Sequence, residues 1–240
     1  MSRTSLFVAA LIVAAWPSAA AAQHQGHTVH DDAINIFMLF DQLEWQSGHG
    51  IGGVSWDARG WIGKDRDRLW LRSEGTSDGD RLESGDVHAL YGRAISPWWD
   101  VVAGVRQDVR PGAAQTWAAF GVQGLAPYRI EIEATGYVGG SGRTHLRLEA
   151  EHELLITNRL VLQPLIETDL FGKDDPARGI GAGLSAIDAG LRLRYEIRRE
   201  LAPYVGVTWH RTFFGTADHA EASGKPPGGA RAVIGLRCWL

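Results

Sequence analysis

Strict alternation of charged and apolar side chains over two stretches is the feature that most constrains how this chain can fold. In residues 143–154 every odd position carries a charge or an imidazole, and most even positions are Leu or Ala. In residues 188–198 one set is ionic and the other is aliphatic or aromatic: Asp188, Arg192, Arg194, Glu196 and Arg198 against Ala189, Leu191, Leu193, Tyr195 and Ile197. A period of two predicts β-strands with one ionic face and one apolar face.

Strands of this kind fit two environments. In a soluble β-protein the ionic face would look outward into water. In a transmembrane barrel the ionic face lines the lumen and the apolar face contacts lipid. The rest of the sequence favours the second environment.

The first 22 residues predict export of the chain. A single early cation, Arg3, precedes an apolar run from Leu6 to Trp16 and the small-residue stretch at 19–22. This is the pattern of a secretory signal peptide with an Ala-x-Ala cleavage site. The apolar run is shorter than the roughly 20 residues of a membrane-spanning helix, so any membrane embedding must use strands.

Residues 34–240 predict an all-β fold, a transmembrane antiparallel up-and-down β-barrel of about 12 strands. The expected strands are residues 34–45, 54–63, 67–77, 85–95, 99–109, 116–126, 128–138, 143–156, 159–171, 185–198, 204–214 and 230–240. Long connections are expected at residues 46–53, 78–84, 110–115, 139–142, 172–184 and 215–229, alternating with short ones. This sorting of connections by length is typical of outer-membrane barrels.

Aromatic residues beside the connections predict two girdles at the membrane interfaces. Three short connections join a proline to an aromatic residue: Pro97-Trp98, Pro127-Tyr128 and Pro203-Tyr204. The same periplasmic girdle is expected to include Trp61, Trp99 and Trp239, and the outer rim Trp45, Trp56 and Trp117.

Composition limits the classes of function. Cys238 is the only cysteine, so no intrachain disulfide can form. The net charge of −4 argues against a nucleic-acid partner. The sequence lacks the G-x-S-x-G and H-E-x-x-H motifs and has no phosphate-binding loop, so we do not expect an enzyme.

Several segments of the barrel region resemble the copper resistance protein B family. They are residues 41–45 (DQLEW), 56–63 (WDARGWIG), 68–75 (RLWLRSEG), 89–100 (ALYGRAISPWWD), 116–128 (TWAAFGVQGLAPY), 170–185 (LFGKDDPARGIGAGLS) and 190–209 (GLRLRYEIRRELAPYVGVTW). The resemblance implies an outer-membrane barrel, in contact with lipid, that belongs to the periplasmic copper-resistance system. It also implies copper binding, removal of excess copper and a periplasmic multicopper oxidase as a partner.

The tail that follows the signal peptide, residues 23–33, is the first candidate copper site. Its candidate ligands are His24, His27, His30, Asp31 and Asp32. Imidazole and carboxylate favour Cu(II), whereas thioether favours Cu(I), so a tail without Met predicts Cu(II) and leaves Cu(I) open. Cleavage after Ala21 would make His24 the third residue and allow a square-planar nitrogen set, whereas cleavage after Ala22 would not. The other interpretation is a solvated polar linker.

The lumen is the second candidate site. Alternation turns one imidazole and a dense acidic set inward from three neighbouring strands: Glu131, Glu133, His145, Glu149, Glu151, Glu167 and Asp169. Arg192, Arg194 and Arg198 are expected to form a basic counter-wall. Two interpretations stay open, a conduit that attracts cations and a salt-bridged interior that fills a narrow barrel. His88 and His152 fall on or near the apolar face, which predicts interfacial positions rather than metal ligands.

A different class of function fits the same fold. A general diffusion pore for small solutes would have a barrel, a charged lumen and no metal role. Conductance in planar bilayers, with and without copper, separates the two functions. Metal-site spectroscopy on the mature protein tests the copper ligands directly.

Overall fold

The computed structural model describes residues 33–48, 51–79 and 81–240. The predicted signal peptide, residues 1–22, lies outside the described residues. So do residues 23–32 of the predicted tail, with its candidate ligands His24, His27, His30, Asp31 and Asp32.

Twelve antiparallel β-strands form one closed sheet, in which each strand pairs with its neighbours along the chain and the last pairs with the first. They are β1 (Asn35–Gly48), β2 (Ile51–Gly63), β3 (Asp67–Asp78), β4 (Arg81–Ser96), β5 (Trp99–Arg110), β6 (Gln115–Ala126), β7 (Ile130–Gly139), β8 (Thr144–His152), β9 (Leu160–Phe171), β10 (Gly183–Tyr195), β11 (Leu201–Thr212) and β12 (Gly228–Trp239). Strand β8 continues as Leu154–Leu155, which also pairs with β9. The predicted up-and-down barrel of twelve strands is confirmed.

Alternation gives each strand one face in the lumen and one on the outside. In β5 the outward side chains Val101, Val105 and Val109 are exposed, whereas Val102 and Arg106 on the opposite face are buried. The leucines that define the alternating stretches follow the same rule, because Leu191 on β10 is 48% exposed and Arg192 beside it is 4% exposed. Exposed large apolar side chains occur on the outer face of every strand of the barrel, as an outer surface in contact with lipid requires.

The two ends of the barrel differ. We call the end that carries the first residue of β1, the last residue of β12 and the connections at 64–66, 97–98 and 127–129 the turn end. The opposite end, the loop end, carries the connections that precede β2, β4, β6, β8, β10 and β12. Trp98 and Tyr128 are exposed at the turn end, as the predicted girdle requires.

Three tryptophans and Tyr204, all expected in the girdles, face the lumen instead. Tyr204 is buried and donates a hydrogen bond to Glu44 across 3.0 Å. Trp61 and Trp239 both lie close to the Phe37 ring, with centroid distances of 6.3 and 6.2 Å, inside the turn end. Trp117 is buried, and its indole nitrogen donates to Asp108 across 2.9 Å. The girdle prediction was wrong at these positions because it used residue type, whereas strand register decides which face a side chain occupies.

Several connections at the loop end are shorter than predicted, because the strands extend further. Strands β1 and β2 pair as far as Gly48 and Ile51, within the region expected to be a loop. Strands β3 and β4 likewise pair as far as Asp78 and Arg81. The long connections of this end are residues 172–182 and 213–227.

The connection at 213–227 contains a helix, α1 (Phe214–Ala222), where a loop was expected. Its sequence FGTADHAEA supplies three alanines and a glutamate, which are good helix formers, and no proline. No helix in the described part of the chain is long and apolar enough to cross a membrane.

The connection at 172–182 folds toward the lumen and packs against α1. The Gly181 amide donates to the Thr216 hydroxyl on α1 across 2.8 Å. Arg178 is buried and reaches two residues of the barrel wall: it donates to the Gln115 amide oxygen across 2.6 Å and lies 3.3 Å from an Asp108 carboxylate oxygen. This connection therefore narrows the loop end of the lumen.

Candidate functional site

The lumen wall carries two rows of carboxylates, each formed by side chains that lie opposite one another on successive strands. The first row runs across four strands, β2 to β5: Asp57, Glu74, Asp86 and Asp108. Gln42 on β1 and Gln115 on β6 flank it in register. Side chains directly opposite on antiparallel strands have Cβ atoms about 4.5–5.5 Å apart, so each carboxylate has another as its nearest cross-strand neighbour.

The second row continues around the barrel on the next strands. It starts beside Gln123 on β6 and consists of four carboxylates and one imidazole on β7 to β11: Glu133, Glu149, Glu167, Asp188 and His210. Like charges directly opposite each other destabilise a sheet. Two rows of four carboxylates therefore need cations to balance them.

A basic row lies next to the first acidic row, two residues away along each strand. Its members on β2 to β5 are Arg59, Arg72, His88 and Arg106, again in register. Each strand thus pairs an acid with a base at the i and i+2 positions of one face. The chain repeats this pairing as Asp57/Arg59, Arg72/Glu74, Asp86/His88 and Arg106/Asp108.

Ion pairs also cross the lumen between distant strands. Arg147 on β8 lies 2.6 Å from a Glu74 carboxylate oxygen on β3. Arg72 on β3 pairs with Glu133 on β7 and donates to Gln123. These contacts join opposite walls of the barrel, so the lumen is divided rather than open from end to end.

Two cavities lie in the divided lumen. The outer cavity, toward the loop end, has a volume of about 500 Å³ and is lined by members of both acidic rows, Arg147 and Arg178 among others. The inner cavity, toward the turn end, has a volume of about 420 Å³ and is lined by Arg59, Arg68, Trp70, Glu131 and Glu133 among others. Glu149 lines both cavities.

Glu149 is distinguished by its lack of a direct cation. Among the described residues it has no hydrogen bond and no ion pair within 4 Å, whereas Glu167 beside it lies 3.1 Å from Arg147. The charges of Glu133, Arg59 and Asp57 all act on its carboxylate. Glu149 is therefore a carboxyl group at the junction of two cavities, with other acids around it and no arginine of the described part of the chain in direct contact.

His145 is held rigidly at the edge of the outer cavity. Its ring stacks on Phe171 with a centroid distance of 4.2 Å and on Tyr137 with a distance of 4.9 Å. Its Nε2 atom lies 2.7 Å from Asp169, which also accepts a hydrogen bond from Arg147 across 3.0 Å. Pairing one ring nitrogen with a carboxylate fixes the orientation of the imidazole. Metal-binding histidines commonly pair the ring nitrogen that does not bind the metal with a carboxylate in this way.

The other predicted lumen residues also face inward. Glu131 lines the inner cavity. Glu151 is buried, and its Oε2 atom has no hydrogen-bond partner. In the predicted counter-wall, Arg192 binds Glu44 with its Nε 3.0 Å from a carboxylate oxygen, and Arg194 lies 2.6 Å from Glu153. Much of the predicted inward set is thus in the lumen and engaged in ion pairs. Arg198 is the exception: it is exposed in the connection between β10 and β11, so its assignment to the counter-wall was wrong, because β10 ends at Tyr195.

The prediction that His88 is interfacial was wrong. His88 is 1% exposed and lies inside the barrel, edge-on to Tyr137 with a centroid distance of 5.9 Å. Its strand β4 turns Asp86, His88 and Leu90 to the lumen and Val87 to the outside. His152, by contrast, lies near the turn end, where Nδ1 is 3.0 Å from the Arg129 carbonyl oxygen.

The sequence interpretation did not select the first acidic row or His210. Asp57, Glu74, Asp86 and Asp108 are separated by 12 to 22 positions in the chain, so no short motif joins them. The repeated i, i+2 pairing of an acid with a base on one face is the signal that could have found them. The inner surface also has an apolar part, the cluster formed by Leu90, Val102, Trp117, Ala119 and Tyr137.

Within residues 33–48, 51–79 and 81–240, no group of three or more His, Cys, Asp or Glu side chains is arranged to hold a metal ion. The single cysteine, Cys238, is free and half-buried.

A closed twelve-stranded antiparallel barrel with an apolar outer face and a charged lumen defines an outer-membrane β-barrel protein. The solved NanC porin has a similar fold, with a TM-score of 0.52 and 11% sequence identity over 85% of this chain and 99% of that one. This likeness concerns the fold alone.

The chain belongs to the copper resistance protein B family. The family model described as copper resistance protein B precursor (CopB) matches residues 34–240. A copper resistance protein B homolog of Pseudomonas syringae pv. tomato is 53% identical over 217 residues, which are 90% of this chain and 74% of the relative. A copper resistance protein B of Escherichia coli is 49% identical over 216 residues, 90% of this chain and 73% of the relative. The resemblance noted in the sequence is thereby confirmed.

Proposed function

We propose that this barrel binds copper in the outer membrane and sequesters or exports the excess that reaches the periplasm. The pair of carboxylate rows in the lumen is the observation that carries the proposal. The rows bring eight carboxylates side by side in the lumen wall, and carboxylate oxygens are groups to which a divalent cation can bind. Membership of the copper resistance protein B family supports copper as the cation.

The turn end is proposed to face the periplasm. Single-chain outer-membrane barrels place their tight turns and both chain termini on that side. Strand β1 begins at Asn35 at the turn end, so the preceding tail would start from the periplasmic mouth. The tail residues His24, His27, His30, Asp31 and Asp32 would then capture Cu(II) from the periplasm before it enters the barrel.

Inside the barrel, copper would encounter the charged residues in a defined order. From the turn end it would reach Glu131 and Glu133 in the inner cavity, and then Glu149 at the junction of the cavities. Beyond Glu149, the outer cavity presents Glu167, Asp169 and His145. Glu151 lies before Glu149 on this path, opposite Glu131 on the turn-end side. Carboxylate and imidazole are ligands that Cu(II) accepts readily.

The cross-lumen ion pairs favour a selective path over an open pore. A hydrated solute that passes from one cavity to the other must displace contacts such as Arg147–Glu74 and Arg72–Glu133. A dication can do so by competing for the carboxylates, whereas a neutral solute cannot.

A periplasmic multicopper oxidase of the same resistance system would fit as the partner that controls the copper supply.

Copper tolerance and cell-associated copper test the proposal in a strain that lacks its own copper resistance barrel. We expect the wild-type chain to restore growth on copper, and Glu149→Gln to restore it less well because the junction loses a carboxylate to which copper could bind. Glu83→Gln, an exposed loop-end change, is the matched control. Equal tolerance with wild type, Glu149→Gln and an empty vector would contradict a copper role.

Purified protein in planar bilayers separates this function from that of a general pore. We expect small single-channel conductance that copper reduces further, because bound copper occupies the junction at Glu149. A large conductance that copper does not change would instead support the general small-solute pore. Replacing His24, His27 and His30 by Ala is expected to weaken Cu(II) binding to the mature protein without changing conductance.

A further inference from the structure

The basic row on β2 to β5 has one irregular member. Arg59, Arg72 and Arg106 occupy three of its four positions, and His88 occupies the fourth. Four carboxylates in the adjacent acidic row thus face three permanent cations and one imidazole. When His88 is neutral, its position is the one in the basic row that carries no positive charge.

The polar atoms at this position are buried without partners. Among the described residues, both ring nitrogens of His88 and the Oδ1 atom of Asp86 lack a hydrogen-bond partner. The His88 Nε2 and Asp86 Oδ1 atoms lie 3.1 Å apart without hydrogen-bond geometry. A buried donor or acceptor that stays unsatisfied costs about 1–3 kcal/mol, so three such atoms at one place require a missing partner.

We propose that His88 Nε2 and Asp86 Oδ1 together bind a divalent transition-metal ion. Metal–nitrogen and metal–oxygen bonds of about 2.0–2.1 Å that span 3.1 Å would enclose an angle of about 100° at the metal. This angle lies between those of tetragonal and tetrahedral coordination, which suit Cu(II) and Zn(II) respectively. The ion would also supply the positive charge that the row lacks at His88.

Neighbouring side chains support this arrangement. The other oxygen of Asp86, Oδ2, forms an ion pair with Arg106 Nη2 at 2.9 Å, which fixes the carboxylate and leaves Oδ1 for the metal. Tyr137 packs edge-on against the imidazole and limits its rotation. Asp86 lines the outer cavity, whereas the two proposed donor atoms themselves are buried.

The charges around the pair oppose each other. Arg72 and Arg106 flank His88 in register and repel a cation, whereas Glu74 and Asp108 flank Asp86 and attract it. Both arginines are already paired, Arg72 with Glu133 and Arg106 with Asp108. Arg106 also lies 2.9 Å from Asp86, so the charge of each arginine is largely compensated by carboxylates.

The inference depends on the proposed function only for the choice of copper as the ion. The test uses the full mature chain with His24, His27 and His30 replaced by Ala, so that tail binding does not contribute. Cu(II) is added to the folded protein in detergent, and pulsed EPR reports whether an imidazole nitrogen is coordinated. Zn(II) competition gives a second readout that does not need copper transport.

We expect one tightly held Cu(II) with imidazole coupling. His88→Gln should abolish the coupling and weaken binding at least tenfold, and Asp86→Asn should weaken binding without abolishing the coupling. His152→Gln, at the turn end, is the matched control and should leave both unchanged. His88→Arg should fold, as judged by heat-dependent mobility on gels, because it completes the basic row, yet it should not bind the metal.

Three results would overturn the inference. The first is imidazole coupling that survives in His88→Gln and disappears in His145→Gln, which would place the ion at His145. The second is wild-type protein that binds no Cu(II) or Zn(II) once the tail histidines are replaced. The third is a protonated His88 ring, seen by NMR at neutral pH with metal present. The copper tolerance of the strain with Glu149→Gln tests the proposed function instead, and its outcome does not depend on any of these three results.

Discussion

At the scale of single residues, the lumen depends on buried charges that satisfy one another. Glu44 is the clearest case, because it is 2% exposed and accepts hydrogen bonds from Arg192, Ser55, Gln46 and Tyr204. Removing one member of such a buried pair leaves the other as an uncompensated charge, which costs about 3–5 kcal/mol.

We therefore expect Glu44→Ala to lower the free energy of unfolding by about 3–5 kcal/mol, since Arg192 stays buried without its carboxylate. Guanidinium unfolding of the barrel in detergent, followed by tryptophan fluorescence, measures the change. Glu83→Ala is the control, because Glu83 forms an exposed pair with Lys225 at 3.3 Å that contributes about 0–1 kcal/mol. Equal losses of unfolding free energy in the two variants would show that the buried Glu44 pair stabilises the barrel no more than the exposed Glu83 pair does.

The alternation of side chains along a strand predicts which face of the barrel each residue occupies. The inward direction of Glu133, His145 and Arg192 followed from sequence, because a period of two is a local property of the strand. Trp61 and Trp117 were misplaced, since their residue type suggested the interface while their register placed them inside. Whether an inward carboxylate has a partner, as Glu167 does and Glu149 does not, depends on side chains from distant strands.

At the scale of elements, the strands were predictable and the connections at the loop end were not. Strands β3, β5 and β6 match their predicted spans within one or two residues. Helix α1 was missed because nine residues with little amphipathic character leave no periodic signal. The structural role of α1 is to hold the connection at 172–182 against the barrel.

Gly181 is the point of closest approach between α1 and this connection. A Cβ atom added there would lie 2.5 Å from the Thr216 backbone nitrogen and 2.6 Å from Gly215. Gly181→Val should therefore release residues 172–182, which hydrogen exchange or limited proteolysis of the folded barrel would detect as a loss of protection of at least tenfold. Gly140→Ala should be silent, because its Cβ would meet nothing within 4 Å. Unchanged protection in Gly181→Val would mean that α1 does not hold the connection.

At the scale of the whole molecule, the two acidic rows exist only in the closed barrel. Each row joins strands that are adjacent in space, and its continuity requires the register of every hairpin along it. The sequence predicts that these side chains face inward, but it does not predict which of them lie opposite one another. For this reason the acidic set on β7 to β9 was found from sequence, and its extension to β10 and β11 was not.

Cross-lumen pairing predicts how the barrel conducts. The double variant Arg72→Ala/Glu133→Ala removes a contact between β3 and β7 and creates no unpaired charge, so the passage between the two cavities should widen. We expect single-channel conductance in planar bilayers to rise several-fold. Arg93→Ala, which removes a half-exposed arginine near the turn end, is the control and should leave conductance unchanged. A double variant with wild-type conductance would show that this pair does not limit the passage.

The outer face can be tested independently of the lumen. Spin labels at Leu148 and Leu191, which are exposed on the outer face, should show the high oxygen and low nickel-complex accessibility of acyl chains. A label at Gln163, which is buried on the opposite face of β9, should not. Aqueous accessibility at both leucines would contradict the membrane assignment and the transport proposal with it.

The rows also have a consequence for biogenesis. A hairpin that assembled one position out of step would turn its carboxylates and guanidiniums toward hydrocarbon, since successive side chains point to opposite faces. Each charge misplaced near the midplane costs about 2–4 kcal/mol for arginine and somewhat less for an acid. Strand pairings in the wrong register would thus be disfavoured by the bilayer during insertion. The charged residues of the lumen therefore also help to select the correct register of the barrel that encloses them.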